Sequence, residues 1–161
     1  MHDCDQLMRE VAEQARALGI PISANISPQV RLNRRAVNRF GCCRRQGGEY
    51  IIELSTRIAN GPEKSCRETL AHELLHTCPG CHNHGLQWKR YARQMNDAYG
   101  YQIRRTVTEE AMGVPRMREY KYLLRCQACG MELGRYRQSP LTRHPERYRC
   151  RSGGRWERIK G

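Results

Sequence analysis

Thr69-Leu70-Ala71-His72-Glu73-Leu74-Leu75-His76 is the stretch on which the reading of the chain turns. Leu70, Leu74 and Leu75 form an apolar stripe at helical spacing, so the segment reads as part of a helix from about Glu63 to Thr77. Pro62, after Asn60-Gly61, suits its first turn, and Cys78-Pro79-Gly80-Cys81 stops it. Residues four apart share one helical face. His72 and His76 can therefore both reach a single zinc ion at about 2.0–2.1 Å, with Glu73 beside the water such an ion holds. A catalytic zinc takes three protein ligands and keeps one position open, so a third donor is required. His82 and His84 both follow the turn-rich break. His84 is the better candidate because Asn83-His84-Gly85 stands at the mouth of the next helix, where a helix start fixes its direction, whereas His82 reads as an exposed loop residue.

Outward from this core the chain divides into periodic segments. Asp3 to Leu18 carries Leu7, Met8, Val11, Ala12, Ala15 and Leu18 at helical spacing and ends at Gly19 and Pro21. Arg39 to Arg45 and Glu49 to Ser55 read as strands flanking Gln46-Gly47-Gly48, a hairpin. A helix from Gly85 or Leu86 to Ala98 turns Leu86, Trp88, Tyr91, Ala92 and Met95 inward and closes at Gly100. Composition shifts after Val114-Pro115, which places a boundary between residues 1–115 and 116–161. The fold class expected is α+β, with a helical metalloprotease-type domain carrying a small sheet, followed by a small β domain.

The second segment has few aliphatic residues, and strands are expected at Tyr120 to Arg125, Met131 to Tyr136, Tyr148 to Cys150 and Arg155 to Ile159. About forty residues of this kind cannot fold on an apolar core alone, so a metal staple is expected. Cys126-Gln127-Ala128-Cys129-Gly130 has the knuckle spacing of a zinc ribbon, and Cys150 follows after 20 residues. A second CxxC calls for cysteine at position 153, which is Gly153. Ser152 stands nearest the gap, but serine is a poor zinc ligand at neutral pH. His144 is the better replacement, giving a Cys126, Cys129, Cys150, His144 set; the alternative is a metal-free ribbon with His144 in a loop.

The 161 residues carry 29 Lys+Arg against 16 Asp+Glu, a net charge of +13, and only Lys64, Lys89, Lys121 and Lys160 among the cations are lysines. An Arg-dominated excess favours a phosphate-bearing partner, and Arg135, Arg137, Arg143, Arg147, Arg149 and Arg151 are the candidate nucleic-acid contacts. No apolar run suggests a signal peptide or a membrane span. Nine cysteines, an odd number clustered in CxxC pairs, indicate free thiols and metal ligands in a cytoplasmic protein. Cys78 and Cys81 read as reduced thiols shaping a tight turn, and Cys42 and Cys43 as buried small side chains.

The run Thr69 to His76, followed by Asn83-His84-Gly85 and a helix containing Trp88, resembles the SprT-like zinc metalloproteases. The resemblance is specific around residues 50–95 and looser over the rest, from Leu7 to Ile159; the basic run Arg34 to Arg45 resembles the strand that precedes the active-site helix in that family. It implies that His72, His76 and His84 hold a catalytic zinc and that Glu73 is the catalytic glutamate. It further implies a C-terminal zinc ribbon and action on protein substrates that are bound or crosslinked to DNA; a monomer is expected. The missing fourth ribbon cysteine is the clearest departure from the family pattern. Two other readings use the same residues: a non-enzymatic, zinc-containing nucleic-acid-binding protein, which leaves Glu73 without a role, and a peptidase whose basic surface attracts acidic peptides.

Overall fold

The computed structural model describes residues 1–161, which form two compact units, Met1–Pro115 and Arg116–Gly161. In the first, helix α1 (Cys4–Ala17) starts where the Asp3 carboxylate accepts the Gln6 N–H at 3.0 Å, and it buries Leu7, Met8, Val11, Ala12 and Ala15. Gly19, at φ +77°, lets the chain leave this helix, and Ile20 and Ile22 enter the core just beyond it. Strands β1 (Arg31–Asn33), β2 (Gly41–Gln46) and β3 (Glu49–Ser55) form a sheet in the order β1-β3-β2. β2 and β3 are antiparallel, with Gln46 opposite Glu49, so the turn is the two residues Gly47-Gly48. Both have positive φ, +59° and +80°, the backbone that a tight hairpin needs and that glycine supplies without strain. β1 is a short, exposed addition parallel to β3, with none of the alternation that would mark it in sequence.

Ser55 caps a single turn, α2 (Thr56–Ala59), and α3 (Glu63–Leu75) follows Pro62. α3 is buried on most of its surface: Cys66, Leu70, Ala71, Leu74 and Leu75 lie in one hydrophobic cluster with α1, the sheet and Trp88, Ala92 and Met95 of α4 (Leu86–Tyr99). The segment after α4 folds back along α3. Asn96 holds it by a pair of hydrogen bonds, accepting Ile103 N–H at 2.8 Å and donating to Ile103 O at 3.1 Å. Farther on, the turn α5 (Glu109–Met112) is tied down by the Ser65 hydroxyl, which donates to Met112 O at 2.8 Å, and by the buried Arg57–Glu109 pair at 3.0 Å. No helix is long and apolar enough to cross a membrane.

In the second unit β4 (Tyr122–Cys126), β5 (Glu132–Arg135) and β6 (Trp156–Lys160) form an antiparallel sheet in the order β5-β4-β6. Tyr120 lies outside β4 and packs its ring over Gly134, where any Cβ would collide with it. The strand expected at Tyr148 to Cys150 is absent as such: only Arg149 bridges, to Arg155. Prolines explain the difference. Pro140 opens a capped turn, α6 (Pro140–Arg143), and Pro145 a 3-10 turn through Arg147, so the chain reaches Cys150 from a curved path. Leu124, Cys126, Thr142 and Cys150 are the buried residues of this unit, too few to make an apolar core.

Candidate functional site

His72 sits in the last turn of α3 and His76 caps its end, while His84 comes back from the loop before α4. Their ligand nitrogens all lie within 4.8 Å of one another, and His84 Nε2 is 2.9 Å from His72 Nε2. His72 Nδ1 faces Arg104 O at 2.9 Å and His76 Nδ1 faces Cys81 O at 2.8 Å. A carbonyl only accepts, so each Nδ1 donates and each Nε2 is left with a bare lone pair turned to the cluster. Trp88 forms the floor: its ring lies 4.6–5.7 Å from the three imidazoles, and its indole N–H donates to His72 O at 3.4 Å. Burial, with His76 and His84 nearby, pushes His72 down to about 4, and burial lowers His84 as well. Both shifts favour the uncharged imidazole at His72 and His84, and the three side chains converge on one point with nitrogen donors, the donor set that suits a borderline metal ion such as zinc.

Glu73, on the same helix, is 8% exposed, and burial raises its carboxyl to about 7 against the opposing charge of Arg39. β2 passes directly over it. A Cβ at Gly41 would stand 2.9 Å from Glu73 Cγ and 3.0 Å from both Glu73 Oε1 and Thr69 Cγ2, so only glycine allows this approach. Gly41 and the Arg104 carbonyl are the site features that the sequence does not announce, because each acts across a long separation in the chain. β2 is an edge strand, and its residues from Gly41 to Cys43 line a cleft of about 420 Å3 together with the three histidines, Tyr50 and His82. His82 is exposed on the rim of this cleft. A second cavity of about 240 Å3 opens beside His72 and Glu73, with Phe40, Ile103, Val107 and Met112 as its apolar wall.

All nine cysteines are free. Cys78 and Cys81 are buried in the hydrophobic cluster, and burial pushes the Cys78 thiol up to about 12, so they serve the turn that presents the Cys81 carbonyl to His76. Cys42 and Cys43 are half-buried on the edge strand rather than in the core. In the second unit the sulfur atoms of Cys126, Cys129 and Cys150 lie within 4.8 Å of one another. His144 is not brought to them: its ring is 43% exposed and its Nδ1 lies 3.3 Å from Glu146 Oε1, because the turn opened by Pro145 directs it outward. Ser152 Oγ lies against the cluster instead, 3.4 Å from Cys126 Sγ. Arg135, Arg137, Arg143, Arg147, Arg149 and Arg151 are all exposed on this unit.

The family model described as the SprT-like family matches residues 6–109, well over half of the chain. No curated protein matches it.

Proposed function

The chain belongs to the SprT-like family, which is associated with metalloprotease-like function, and on that premise we propose that it is a zinc-dependent endopeptidase acting on DNA-bound or DNA-crosslinked proteins. The observation that carries the reading is the convergence of three imidazoles, those of His72 and His76 with Nε2 left bare, beside a buried carboxyl that itself lies under an edge strand. His72, His76 and His84 would hold the ion. Bound there, zinc supplies a Lewis acid that polarises a peptide carbonyl and acidifies water.

The rest is the work of the chain's own groups. The free edge of β2 offers backbone N–H and C=O groups to which an extended peptide can add as a further strand, and this holds the scissile bond along the cleft. The cavity walled by Phe40 and Ile103 takes a neighbouring side chain. Glu73 accepts the proton of the attacking water at a carboxylate oxygen and passes it to the leaving amine; burial, which raises its carboxyl, makes it a better proton acceptor than an exposed glutamate. The carbonyls of Arg104 and Cys81 keep the His72 and His76 imidazoles in one tautomer, and the Trp88 ring packs against all three.

DNA is proposed as the partner from charge. Residues 116–161 carry 13 basic and 4 acidic side chains, a net of +9, against 16 and 12 in residues 1–115. Nine free thiols suit a reducing, cytoplasmic setting, and a monomer suffices because all named groups come from one chain.

The test is cleavage of a DNA-binding protein with and without DNA, with a chelator control. Cleavage stimulated by DNA and lost to chelator is expected. Glu73→Gln is expected to keep metal and DNA binding while losing cleavage, and wild-type cleavage by that variant would overturn the general-base role. If neither protein cleaves while both bind DNA, the non-enzymatic nucleic-acid-binding reading takes its place.

A further inference from the structure

The cysteine cluster of the second unit stands apart from the peptidase reading and is built with some care. Cys126 ends β4 and Cys129 lies on the turn that leads to β5, while Cys150 begins the turn that leads to β6. In the first turn the Gly130 N–H donates to Cys126 O at 2.9 Å, with Gly130 at φ +76°. The second turn repeats the device: the Gly153 N–H donates to Cys150 O at 2.7 Å, with Gly153 at φ +85°. The two turns face each other closely. A Cβ at Gly154 would run into Cys126 Sγ and stand 2.6 Å from the Ala128 Cβ, so a glycine is needed for the approach. Two knuckles thus converge on one point, with Cys129 and Cys150 sulfurs 3.7 Å apart, yet the second contributes one thiol where the first contributes two.

What occupies the remaining side is oxygen. Ser152 Oγ lies 3.4 Å from Cys126 Sγ and accepts the Gly154 N–H at 3.4 Å. No histidine or carboxylate joins the three sulfurs. Both Ser152 and Cys129 are exposed, so this side of the cluster is also the side that solvent reaches.

We propose that Cys126, Cys129 and Cys150 hold one thiophilic divalent ion whose fourth position, on the Ser152 side, is taken by oxygen, making this an exchangeable three-thiolate site instead of a closed structural one. Three thiolates select a soft or borderline ion. A neutral hydroxyl or water in the fourth place is a weak donor and leaves that face open to an incoming ligand, so the ion departs to a competing chelator faster than from four protein ligands.

Cobalt(II) added to the reduced full-length chain reads the site directly, because thiolate-to-cobalt charge transfer arises from cysteine ligands and not from the histidine cluster. Charge transfer whose final amplitude corresponds to one thiolate-bound ion per chain, beside whatever cobalt the histidine cluster takes up, is expected, with a visible band pattern of three sulfurs and one oxygen. Ser152→Cys, which adds a donor, is expected to shift that pattern to that of four sulfurs and to slow zinc release to a chromophoric chelator by about tenfold or more. His144→Ala is expected to change neither. Absence of charge transfer in the wild-type chain overturns the site, a spectrum altered by His144→Ala overturns the oxygen assignment, and a Ser152→Cys chain with unchanged spectrum and release overturns the placement of the open side.

Discussion

Glycine 41 is where a single hydrogen atom in place of a side chain decides the chemistry of the cleft. Its φ is unremarkable for any residue; the constraint is space, with Glu73 Cγ and Thr69 Cγ2 already at 2.9–3.0 Å from where a Cβ would stand. Gly41→Val is expected to push β2 off α3, cost about 1–3 kcal/mol through overpacking, and lower peptidase turnover by about a hundredfold as Glu73 moves off line. Gly48→Ala is the control, since Gly48 needs its positive φ, at +80°, but touches nothing. It is expected to cost about 1 kcal/mol with turnover unchanged. Denaturant melts and steady-state rates on the two variants separate the effects. A second residue-scale expectation concerns acid. Glu53 is held below its ordinary value of 4.5 by the Arg39 guanidinium at 2.7 Å and by Asn33, at 2.9 Å. A carboxyl with a lowered folded pKa stabilises above its unfolded value, and that contribution fades as pH falls from 4.5 through the folded one. Glu53→Gln is therefore expected to cost about 1–2 kcal/mol at pH 7 and to flatten the loss of stability in acid, as read by melts from pH 7 to pH 3.

At the scale of elements, the histidine cluster depends on a segment with no regular structure. Residues 101–105 carry the Arg104 carbonyl to His72 Nδ1 only because Asn96, on α4, holds Ile103 at both its N–H and its C=O. Asn96→Ala is expected to cost about 1–3 kcal/mol and, more tellingly, to weaken zinc binding by about tenfold, since His72 loses the partner that fixes its tautomer. Zinc titration against a competing chelator checks this; unchanged affinity would show that Trp88 alone orients the ring. The same contrast explains what was legible in the sequence. The faces of α1 and α3 follow from local periodicity, as does that of α4 at Trp88, Ala92 and Met95, and His72, Glu73 and His76 follow from the pitch of one helix; Leu86, expected inward, is instead 85% exposed at the first position of α4. His84 follows from its place just before a helix start, which fixes a direction. The Gly47-Gly48 turn was legible too, since glycine at both positions has a backbone reason. Gly41, the Arg104 carbonyl and β1 were not, because each gets its meaning from a neighbour far along the chain. His144 failed for a related reason: spacing to Cys150 is right for a ligand, but Pro145 turns its ring outward, and no count of residues reveals that.

For the whole molecule, charge and hydrophobicity are divided between the two units in opposite ways. The hydrophobic cluster lies within residues 1–115, where net charge is +4; residues 116–161 have few buried groups and a net charge of +9. The second unit thus has the weaker core and the stronger field, which fits a small module held together at its cysteines and directed at phosphate. Affinity for a DNA duplex is accordingly expected to fall steeply with salt, because each neutralised phosphate releases counterions and contributes roughly 0.9 to the slope of log affinity against log salt. Alanine at Arg147, Arg149 and Arg151 together, in the full chain, is expected to reduce that slope by about 2–3 if all three meet phosphate, while leaving cleavage of a DNA-free peptide unchanged. Removal of residues 116–161 is expected to abolish both the steep slope and any stimulation of cleavage by DNA, with zinc still bound at His72, His76 and His84. Fluorescence anisotropy over a salt series, run beside a peptide cleavage assay, reads both arms. A truncated chain that keeps the full slope would move the DNA contact to the basic run Arg34 to Arg45 beside the cleft, and the second unit would then need another partner for its charge.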